Sequence, residues 1–532
     1  MPALTARKPP RFHPYLGRDI PWLLDMQAQA RGDRTFLIWE PFEGASQNWT
    51  YGAFAARVDL VARNLVARGV EAADVVLIHL ENCPEFLFAW FACAKIGAVA
   101  VTTNTRSSSD ELSYFMSHSR AKAAVTQMSF LPLVENCGPE LAWTACLDLD
   151  EANGRAFPFE DLYADRPELV LPAHDPLTPL CVQYTSGTTS RPKGVVWTHA
   201  NALWAAQVNA RHCELGEDDT ALIVLPLFHT NALGYSTLGS LWAGGSVVLT
   251  PRFSARRFWS VATRHGCTWA SIIPFVTSAL LDIETPEHSF RFWSIGLADV
   301  PVLETKFRVK IAGWWGMTET VSHPIQSYLH LPALAGSMGV PAPEYEIDVR
   351  DDDGVPVEPT AEGASGSLFV RGVAGISLFH EYLNDEAATN ACFDADGWMS
   401  TGDIVKVRSD GQIIFADRAK DMLKVGGENV AASEIERVIV EMDEVAEAAV
   451  VGKAHAILDE VPVVFIIPAT SDASGLGEKV QARCKALLAE FKVPREVIVV
   501  NELPRSLLNK IAKKELRARL EERPGEVAPT GG

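Results

Sequence analysis

The hydrophobic pattern of the first four hundred residues alternates between strand-like and helix-like segments. The run from Val75 to Leu80, VVLIHL, is almost entirely apolar, which predicts a strand buried on both faces. The next segment has Pro84 where a first helical turn accepts proline and Gly97 where a helix would end. The pattern then returns to a strand in AVAVTTN, and it recurs around ALIVLPLF and GGSVVLT. We therefore expect an α/β fold with mostly parallel sheets flanked by helices.

The pattern changes near residue 416, where shorter units begin. EIERVIVEM and KVQARCKALLAEF read as helices, whereas VAEAAVVG, VPVVFIIP and REVIVV read as strands. These units suffice for a compact α+β domain of about a hundred residues. The charged, glycine-containing segment ADRAKDMLKVGGEN stands at the junction. We predict a large N-terminal domain, residues 1–419, and a small C-terminal domain, residues 420–532.

Composition and charge narrow the class of protein. A chain of 532 residues is too long for a single hydrophobic core, so we expect two or more domains. The net charge of -20 disfavours binding to nucleic acid. The N-terminus has no apolar signal-peptide core, and the longest apolar run, Phe86 to Ala94, is too short to span a membrane. The nine cysteines form no C-x-x-C pair, which indicates reduced thiols and no zinc cluster. We expect a cytoplasmic protein without a membrane span.

The most informative short segment is YTSGTTSRPKGV, from Tyr184 to Val195, which follows the apolar run LCVQ. Backbone N–H groups of a glycine-containing loop can bind phosphate oxygens, and Lys193 adds positive charge. A Walker A loop starting at Gly187 would need glycine at position 192 and serine or threonine at 194. Pro192 and Gly194 occupy those positions. From the residues alone, a nucleotide-phosphate loop and an ordinary surface loop both remain open.

The whole segment resembles the phosphate loop of the adenylate-forming superfamily, which includes acyl-CoA synthetases, adenylation domains of peptide synthetases and beetle luciferases. Further segments resemble the superfamily's other motifs in the expected order: PLFHTNALG, GWWGMTET, STGD, DRAKDMLKVGGENV and LPRSLLNKIAKKELR. The resemblance covers nearly the whole chain. It implies a large N-terminal domain that holds ATP and the acyl substrate, and a small mobile C-terminal domain with a catalytic lysine.

The resemblance implies an AMP-forming carboxylic acid–CoA ligase. Such an enzyme converts an acid and ATP into an acyl-adenylate and pyrophosphate, and CoA then displaces AMP. ATP, Mg²⁺ and CoA are the implied cofactor and co-substrates. Two positions depart from the superfamily pattern, because Ser190 and Asn509 stand where glycine is usual. TTSRPKGV is also the sequence of bacterial crotonobetaine/carnitine-CoA ligases, so Ser190 suggests that subgroup.

The matched motifs imply roles for individual residues. Lys510 would bridge the carboxylate and the α-phosphate, Glu319 would bind magnesium, and Trp315 would stack on adenine. Asp403 and Arg418 would bind the ribose, and Lys420 would be the hinge about which the C-terminal domain turns. The implied phosphate contacts are Thr185, Ser186, Gly187, Thr188, Thr189, Lys193 and Thr318. The implied CoA contacts are Lys424, Gly426 and Gly427. The implied catalytic set is Lys510, Glu319, Thr185 and His229.

The acyl pocket is expected to be lined by His229, Asn231, Leu233, Ile272, Phe275, Leu297, Asp299 and Trp314. His229 replaces the aspartate that follows the motif's phenylalanine in enzymes that activate amino acids, so an amino acid substrate is disfavoured. Aromatic faces with the Asp299 carboxylate would suit a carnitine-like cation, and the same walls would suit a ring acid. The substrate stays open between these and other small or medium carboxylic acids.

Other functions stay open at this stage. An adenylate-forming enzyme can load a separate acyl-carrier protein or oxidise its adenylate, as luciferases do. No attachment segment for a carrier follows the C-terminal domain, which favours free CoA. A non-catalytic nucleotide-binding relative would be expected to have lost catalytic positions, yet Glu319, Asp403, Arg418 and Lys510 are all present. The sequence allows either a monomer or a homodimer.

Overall fold

A computed structural model describes residues 8–169, 171, 174–185, 191–296, 300–331, 334, 336–351, 353–418, 422–470, 473–504, 511 and 513–521. The side chains of residues 300, 416–418, 422, 429, 431, 433 and 514 are not described. The described residues form two compact units. The larger contains those of Met1–Thr105, Leu112–Thr185 and Lys193–Ala419, and the smaller contains those of Arg106–Glu111, Ser186–Pro192 and Lys420–Gly532. Within these ranges, every helix is too short or too polar to cross a membrane.

The elements follow one another along the chain in four stretches. The first contains α1 (Ile20–Arg31), β1 (Thr35–Trp39), β2 (Gln47–Thr50), α2 (Tyr51–Ala67), β3 (Val75–His79), α3 (Pro84–Ile96), β4 (Val99–Thr102), α4 (Ser109–Ser119), β5 (Ala123–Gln127), α5 (Leu131–Cys137), β6 (Trp143–Leu147), β7 (Ala156–Pro158) and a 3₁₀ helix (Phe159–Tyr163).

The second stretch contains β8 (Pro179–Thr185), β9 (Lys193–Thr198), α6 (His199–His212), β10 (Thr220–Ile223), a π-helix (Asn231–Leu238), α7 (Gly239–Ala243), β11 (Ser246–Leu249), α8 (Ala255–Arg264), β12 (Trp269–Ile272), α9 (Pro274–Leu280), β13 (Phe292–Ile295), α10 (Val300–Phe307), β14 (Lys310–Trp315), a 3₁₀ helix (Thr318–Thr320) and β15 (Ile325–Gln326).

The third stretch contains β16 (Ser337–Pro341), β17 (Glu346–Arg350), β18 (Ala364–Arg371), β19 (Glu381–Tyr382), α11 (Glu386–Ala391), β20 (Met399–Val407) and β21 (Ile413–Arg418). The fourth contains β22 (Met422–Val425), β23 (Glu428–Ala431), α12 (Ala432–Val440), β24 (Val445–His455), β25 (Asp459–Pro468), α13 (Leu476–Leu487), a 3₁₀ helix (Glu490–Lys492), β26 (Glu496–Val499) and α14 (Lys513–Glu521).

The predicted strand–helix–strand unit after residue 75 is confirmed. Nearly every residue of α3 is buried, as expected of a helix that is apolar on all sides. Gly97 ends this helix in the left-handed conformation at φ 74°, which glycine adopts without steric cost. β3 and β4 then pair in parallel, so the helix is the crossover connection that parallel strands require.

Two sheets form the larger unit. One has the strand order β19-β9-β8-β4-β3-β5-β6-β7, in which β3 to β8 are parallel. The other has the order β17-β18-β20-β21-β16-β15-β14-β13-β12-β10-β11-β1-β2. The neighbouring strands β14, β13, β12, β10, β11 and β1 of this sheet are parallel, which agrees with the expected α/β class. An antiparallel part that the hydrophobic pattern had not indicated is added by β15, β16, β17, β18, β20 and β21.

The order of the parallel strands determines which loops lie together. β10, β12, β13 and β14 are successive neighbours, so their carboxyl ends meet at one edge of the sheet. Ligands of open α/β sheets bind beyond this edge. The predicted acyl and nucleotide residues follow these strands, with Asn231 after β10, Phe275 after β12 and Glu319 after β14. The topology therefore collects segments that are distant in sequence.

The smaller unit contains the elements that the C-terminal pattern predicted. β24, β25 and β26 and the helices α12 and α13 coincide with the five predicted segments. β22 and β23 form a hairpin whose Val425 and Glu428 pair across Gly426 and Gly427. Both glycines have positive φ, 59° and 86°, as a two-residue hairpin turn of this kind requires.

Candidate active site

β8 and β9 hold the two ends of the predicted phosphate loop next to each other. Thr185, the last residue of β8, pairs with Lys193, the first residue of β9. The preceding Tyr184 is fixed by its hydroxyl, 2.9 Å from Nδ1 of His118, and by stacking on Phe115 with ring centroids 4.3 Å apart. The pairing of β8 with β9 therefore fixes the backbone position of Lys193 within the larger unit.

A short turn after β14 presents Thr318 and Glu319. The indole N–H of Trp197 donates to the Thr318 carbonyl at 2.9 Å. The hydroxyl of Thr230 lies 3.3 Å from the Thr318 hydroxyl and donates to Gln183 at 2.9 Å. The side chains of β9 and of the segment after β10 thus contact the turn, and Thr230 links it to Gln183 of β8, which brings three of the predicted motifs together.

The same turn contains strained backbone at Val321. This buried residue has φ 66° and ψ -42°, and the Ser322 N–H donates to the Thr320 carbonyl at 2.6 Å. These values describe a γ-turn of the rare, strained kind, and a β-branched residue at positive φ is an outlier. The Tyr345 hydroxyl donates to the same Thr320 carbonyl at 2.7 Å. Strain of this type is typical of functional sites, where the surroundings enforce it.

Glu319 is buried and held by Tyr382 on β19 and by Phe379 just before this strand. Its Oε1 accepts a hydrogen bond from the Tyr382 hydroxyl at 2.8 Å, and its carbonyl accepts one from the Phe379 N–H at 2.8 Å. The ammonium of Lys193 lies 4.4 Å from the centre of the Tyr382 ring. Burial, with the nearby Glu319 charge as the next cause, raises the pKa of the Tyr382 phenol, which therefore stays protonated and donates.

Asp403 lies on β20 and is nearly buried, with 7% of its surface exposed. Its Oδ2 accepts a hydrogen bond from the Trp315 indole at 2.9 Å, and its backbone N–H donates to the Thr401 hydroxyl. Asp403 and Arg418, the predicted ribose-binding pair, are cross-strand partners on β20 and β21. The side chain of Arg418 lies outside the described part of the structure.

Trp314, one of the predicted acyl-pocket residues, belongs to a cluster of aromatic and polar side chains. Trp314 stacks on the buried His323 with ring centroids 4.5 Å apart, and Tyr235 contacts both rings. Asn231 precedes Tyr235 by four residues on the π-helix, a rare element that is frequent at functional sites. Among the described residues, the Asn231 amide, the Trp314 indole N–H and Nε2 of His323 are buried without a hydrogen-bond partner.

Comparison with known proteins identifies the family. A family described as AMP-binding enzyme matches residues 24–383, and its C-terminal domain matches residues 434–510. The chain belongs to the AMP-binding enzyme family. It is 32% identical to a crotonobetaine/carnitine–CoA ligase of Citrobacter koseri, over 94% of this chain and 99% of that protein. Like its homologues, this AMP-binding enzyme is an AMP-forming acid–CoA ligase.

Solved structures agree with this assignment. An o-succinylbenzoate CoA synthetase of Bacillus subtilis, bound with a product analogue, superposes with TM-score 0.81 at 29% identity and covers 95% of this chain and 99% of that one. A structure of the same synthetase with ATP and magnesium has TM-score 0.67 at 29% identity and covers 94% and 99%. The use of ATP and CoA by this ligase follows from its family.

The structure of this ligase describes many of the predicted site residues. In the larger unit it describes Thr185, Lys193, His229, Asn231, Leu233, Ile272, Phe275, Trp314, Trp315, Thr318, Glu319 and Asp403. Leu233 and Ile272 are buried, and His229 and Phe275 are half-buried. Lys424, Gly426 and Gly427 lie in the smaller unit. The predictions for Ser186, Gly187, Thr188, Thr189, Leu297, Asp299, Lys420 and Lys510, and for the departures Ser190 and Asn509, concern residues outside the described set.

Sequence reasoning missed several residues of this site. Tyr382, Tyr345, Thr230 and His323 all contact residues of the predicted motifs. Thr230 and His323 stand within or directly beyond the quoted motifs, so adjacency could have suggested them. Tyr382 follows no quoted motif, and only the pairing of β19 with β9 brings it to Lys193 and Glu319.

The residues around Glu319 fit a magnesium ion. The described part of the chain contains no group of three His, Cys, Asp or Glu side chains that could hold a metal. Mg²⁺ is commonly held by one or two carboxylates together with substrate phosphates, so a full protein cage is not needed. Glu319 supplies a buried carboxylate with the Thr318 hydroxyl next to it in sequence, and oxygen ligands of this kind suit the ion.

Proposed function

We propose that this ligase activates a small or medium carboxylic acid with a hydrogen-bonding acyl group, at the site formed by Lys193, Glu319 and Asp403. The observation that carries the acyl class is that polar groups of Asn231, Trp314 and His323 are buried without a hydrogen-bond partner among the described residues. A buried polar group without a hydrogen bond costs about 1–3 kcal/mol. A substrate that supplies the missing partners removes that cost.

The first half-reaction brings a carboxylate toward the polyanionic triphosphate, so it requires positioning and charge neutralisation. Lys193 would neutralise the departing pyrophosphate, and the Thr185 and Thr318 hydroxyls would donate to phosphate oxygens. Asp403 would accept hydrogen bonds from the ribose hydroxyls, and Trp315 would contact adenine. Each role is carried over from the matched motif and is supported by the location of these residues in one unit.

Glu319 would hold Mg²⁺ through its carboxylate. The ion, when bound, would neutralise phosphate charge during adenylate formation. Glu319 is fixed for this role because both its side chain and its backbone carbonyl accept hydrogen bonds from the segment Phe379–Tyr382.

The second half-reaction would use residues of the smaller unit. Lys510 would serve adenylate formation only, whereas Lys424, Gly426 and Gly427 would serve thioester formation with CoA. The turn at Gly426 and Gly427 carries no side chain beyond hydrogen, which supports a role in close approach of the pantetheine arm. Free CoA is the proposed acceptor.

A trimethylammonium acid is the second candidate substrate. The relative from Citrobacter koseri is named for crotonobetaine and carnitine, and the faces of Trp314 and Tyr235 could bind a cation. This candidate requires a carboxylate such as Asp299 at the pocket. Neutral Asn231 and Trp314 groups favour an uncharged hydrogen-bonding acid instead, because a desolvated cation gains little from them.

A panel of matched acids tests both candidates. Purified enzyme is supplied with ATP, Mg²⁺ and CoA, and AMP and acyl-CoA are measured together. The panel pairs pentanoate with 4-hydroxybutanoate, benzoate with 2-aminobenzoate, and crotonate with its 4-trimethylammonium derivative. A higher kcat/KM for the hydroxyl or amino member supports the proposal, and preference for the cationic member supports the second candidate. Preference for the plain acids in every pair would contradict both.

We also propose a cytoplasmic location. None of the nine cysteines, all of which lie among the described residues, forms a disulfide, which suits a reducing compartment. Cells of the native host would be fractionated, and an antibody against this protein would detect it in each fraction. Recovery of the protein from an oxidising compartment would contradict the proposed location.

A further inference from the structure

Tyr382 contacts Glu319 and Lys193. The proposed function assigns Glu319 to the magnesium ion and Lys193 to the departing pyrophosphate. The Tyr382 hydroxyl donates to Oε1 of Glu319 at 2.8 Å, and the Tyr382 ring lies 4.4 Å from the ammonium of Lys193. We propose that Tyr382 is a positioning residue that sets the Glu319 carboxylate and the Lys193 ammonium relative to each other. This inference rests on the proposed function of these two residues.

The hydroxyl of Tyr382 restricts the Glu319 carboxylate. Both residues are only 6% exposed, so water does not compete strongly for this hydrogen bond. A hydrogen bond to a charged group is stronger than one between neutral groups. With one carboxylate oxygen committed to the phenol, the orientation of the other oxygen is also fixed. A magnesium ligand benefits because Mg²⁺ demands near-ideal octahedral geometry.

The ring of Tyr382 restricts Lys193. A lysine ammonium over an aromatic face is attracted by the electrons of the ring, and the attraction is stronger when the cation is desolvated. Lys193 and Tyr382 belong to adjacent antiparallel strands, because Tyr382 pairs with Val195. The cation therefore has a preferred position before any phosphate binds, which lowers the entropy that ATP binding must remove.

Tyr382 itself is held from several directions. Its backbone N–H donates to the Thr389 hydroxyl at 2.9 Å, and its ring packs on Phe379 with centroids 4.8 Å apart. Phe379 in turn donates its N–H to the Glu319 carbonyl. The segment Phe379–Tyr382 thus contacts Glu319 through backbone and side chain, and a purely space-filling role would need only the ring.

Two variants separate the hydroxyl from the ring. Tyr382→Phe keeps the aromatic face and removes the donor, whereas Tyr382→Leu removes both. Mn²⁺ binding in the presence of ATP is measured by electron paramagnetic resonance, and ATP affinity without a divalent cation is measured by calorimetry in the absence of an acid. We expect Tyr382→Phe to weaken Mn²⁺ binding about tenfold or more, with ATP affinity within about twofold of the wild type. Tyr382→Leu should weaken both.

Controls make the result decisive. Tyr51→Phe removes another buried tyrosine hydroxyl, which donates to the Gly245 carbonyl at 2.6 Å. Tyr51 lies outside the predicted motifs, so this variant should change neither measurement. Thermal unfolding of each variant identifies loss of fold. Unchanged Mn²⁺ binding in a folded Tyr382→Phe variant, with Glu319→Gln impaired, overturns the proposal. Unchanged Mn²⁺ binding in Glu319→Gln as well contradicts the proposed role of Glu319 itself.

Discussion

The indole N–H of Trp315 donates a hydrogen bond to Oδ2 of Asp403 at 2.9 Å. The two residues lie on β14 and β20, in the parallel and the antiparallel part of the same sheet. Each is 7% exposed. The residue predicted to contact adenine therefore also orients the residue predicted to contact ribose, so the two nucleoside contacts depend on each other.

Trp315→Phe should raise the KM for ATP about fivefold to a hundredfold, because an aromatic ring remains while the Asp403 carboxylate loses the hydrogen bond from the indole N–H. Pyrophosphate release at varied ATP concentration measures this. Trp293→Phe is the matched control, since the Trp293 indole is fully buried and its N–H has no hydrogen-bond partner among the described residues. A KM unchanged in Trp315→Phe would indicate that the ring alone matters.

Lys510→Ala should slow adenylate formation about a hundredfold or more and leave thioester formation from supplied acyl-adenylate much less affected. A cation between two anions is required only in the first half-reaction. Pyrophosphate release and acyl-CoA formation from synthetic adenylate measure the two steps separately. Equal losses in both steps would assign Lys510 a structural role.

Gly427→Val should impair thioester formation more than pyrophosphate release. Its φ of 86° is disfavoured for a β-branched residue, so the β22–β23 turn would distort. Gly427→Asn is the conservative control because asparagine tolerates positive φ, and it should retain most of the second half-reaction. If both substitutions left acyl-CoA formation at the wild-type rate, the proposed CoA contact at this turn would be wrong.

His79 should make the protein less stable in mild acid. Burial lowers its pKa from 6.5 to about 4. Below pH 6.5 the unfolded chain takes up a proton that the folded chain does not, so stability is lost as pH falls toward 4. The loss between pH 7 and pH 5 amounts to about 2 kcal/mol.

Urea unfolding of His79→Asn across this pH range measures the effect. The variant should lose less stability per pH unit than the wild type, whatever its stability at pH 7. His330→Asn removes an exposed histidine and should keep the wild-type pH dependence. An unchanged slope in His79→Asn would mean that other groups account for the acid sensitivity.

The sequence predicted those features that rest on local patterns or motifs. The apolar run before Pro84 became β3, and the predicted helix after it ends at Gly97, because burial and cap chemistry act over a few residues. Lys193, Thr318 and Glu319 were predicted as site residues because motif residues keep their order. Local physics and motif order are both visible in one chain.

The remaining features depend on long-range pairing. Tyr382 reaches Lys193 only because β19 adds antiparallel to β9, nearly two hundred residues earlier. His323 joins the candidate site by stacking on Trp314, and a single histidine in the sequence gives no sign of this contact. The antiparallel strands after β14 were missed for the same reason, since strand direction is set by tertiary contacts.

The γ-turn at Val321 has a consequence for laboratory evolution. Natural proteins often carry strained positions that selection for stability alone would relax. A library screened only for heat resistance should therefore accept residues that tolerate positive φ at position 321, whereas a library screened for turnover should retain the wild-type turn. Residue 321 would then mark the point in this chain where durability and catalysis select different amino acids.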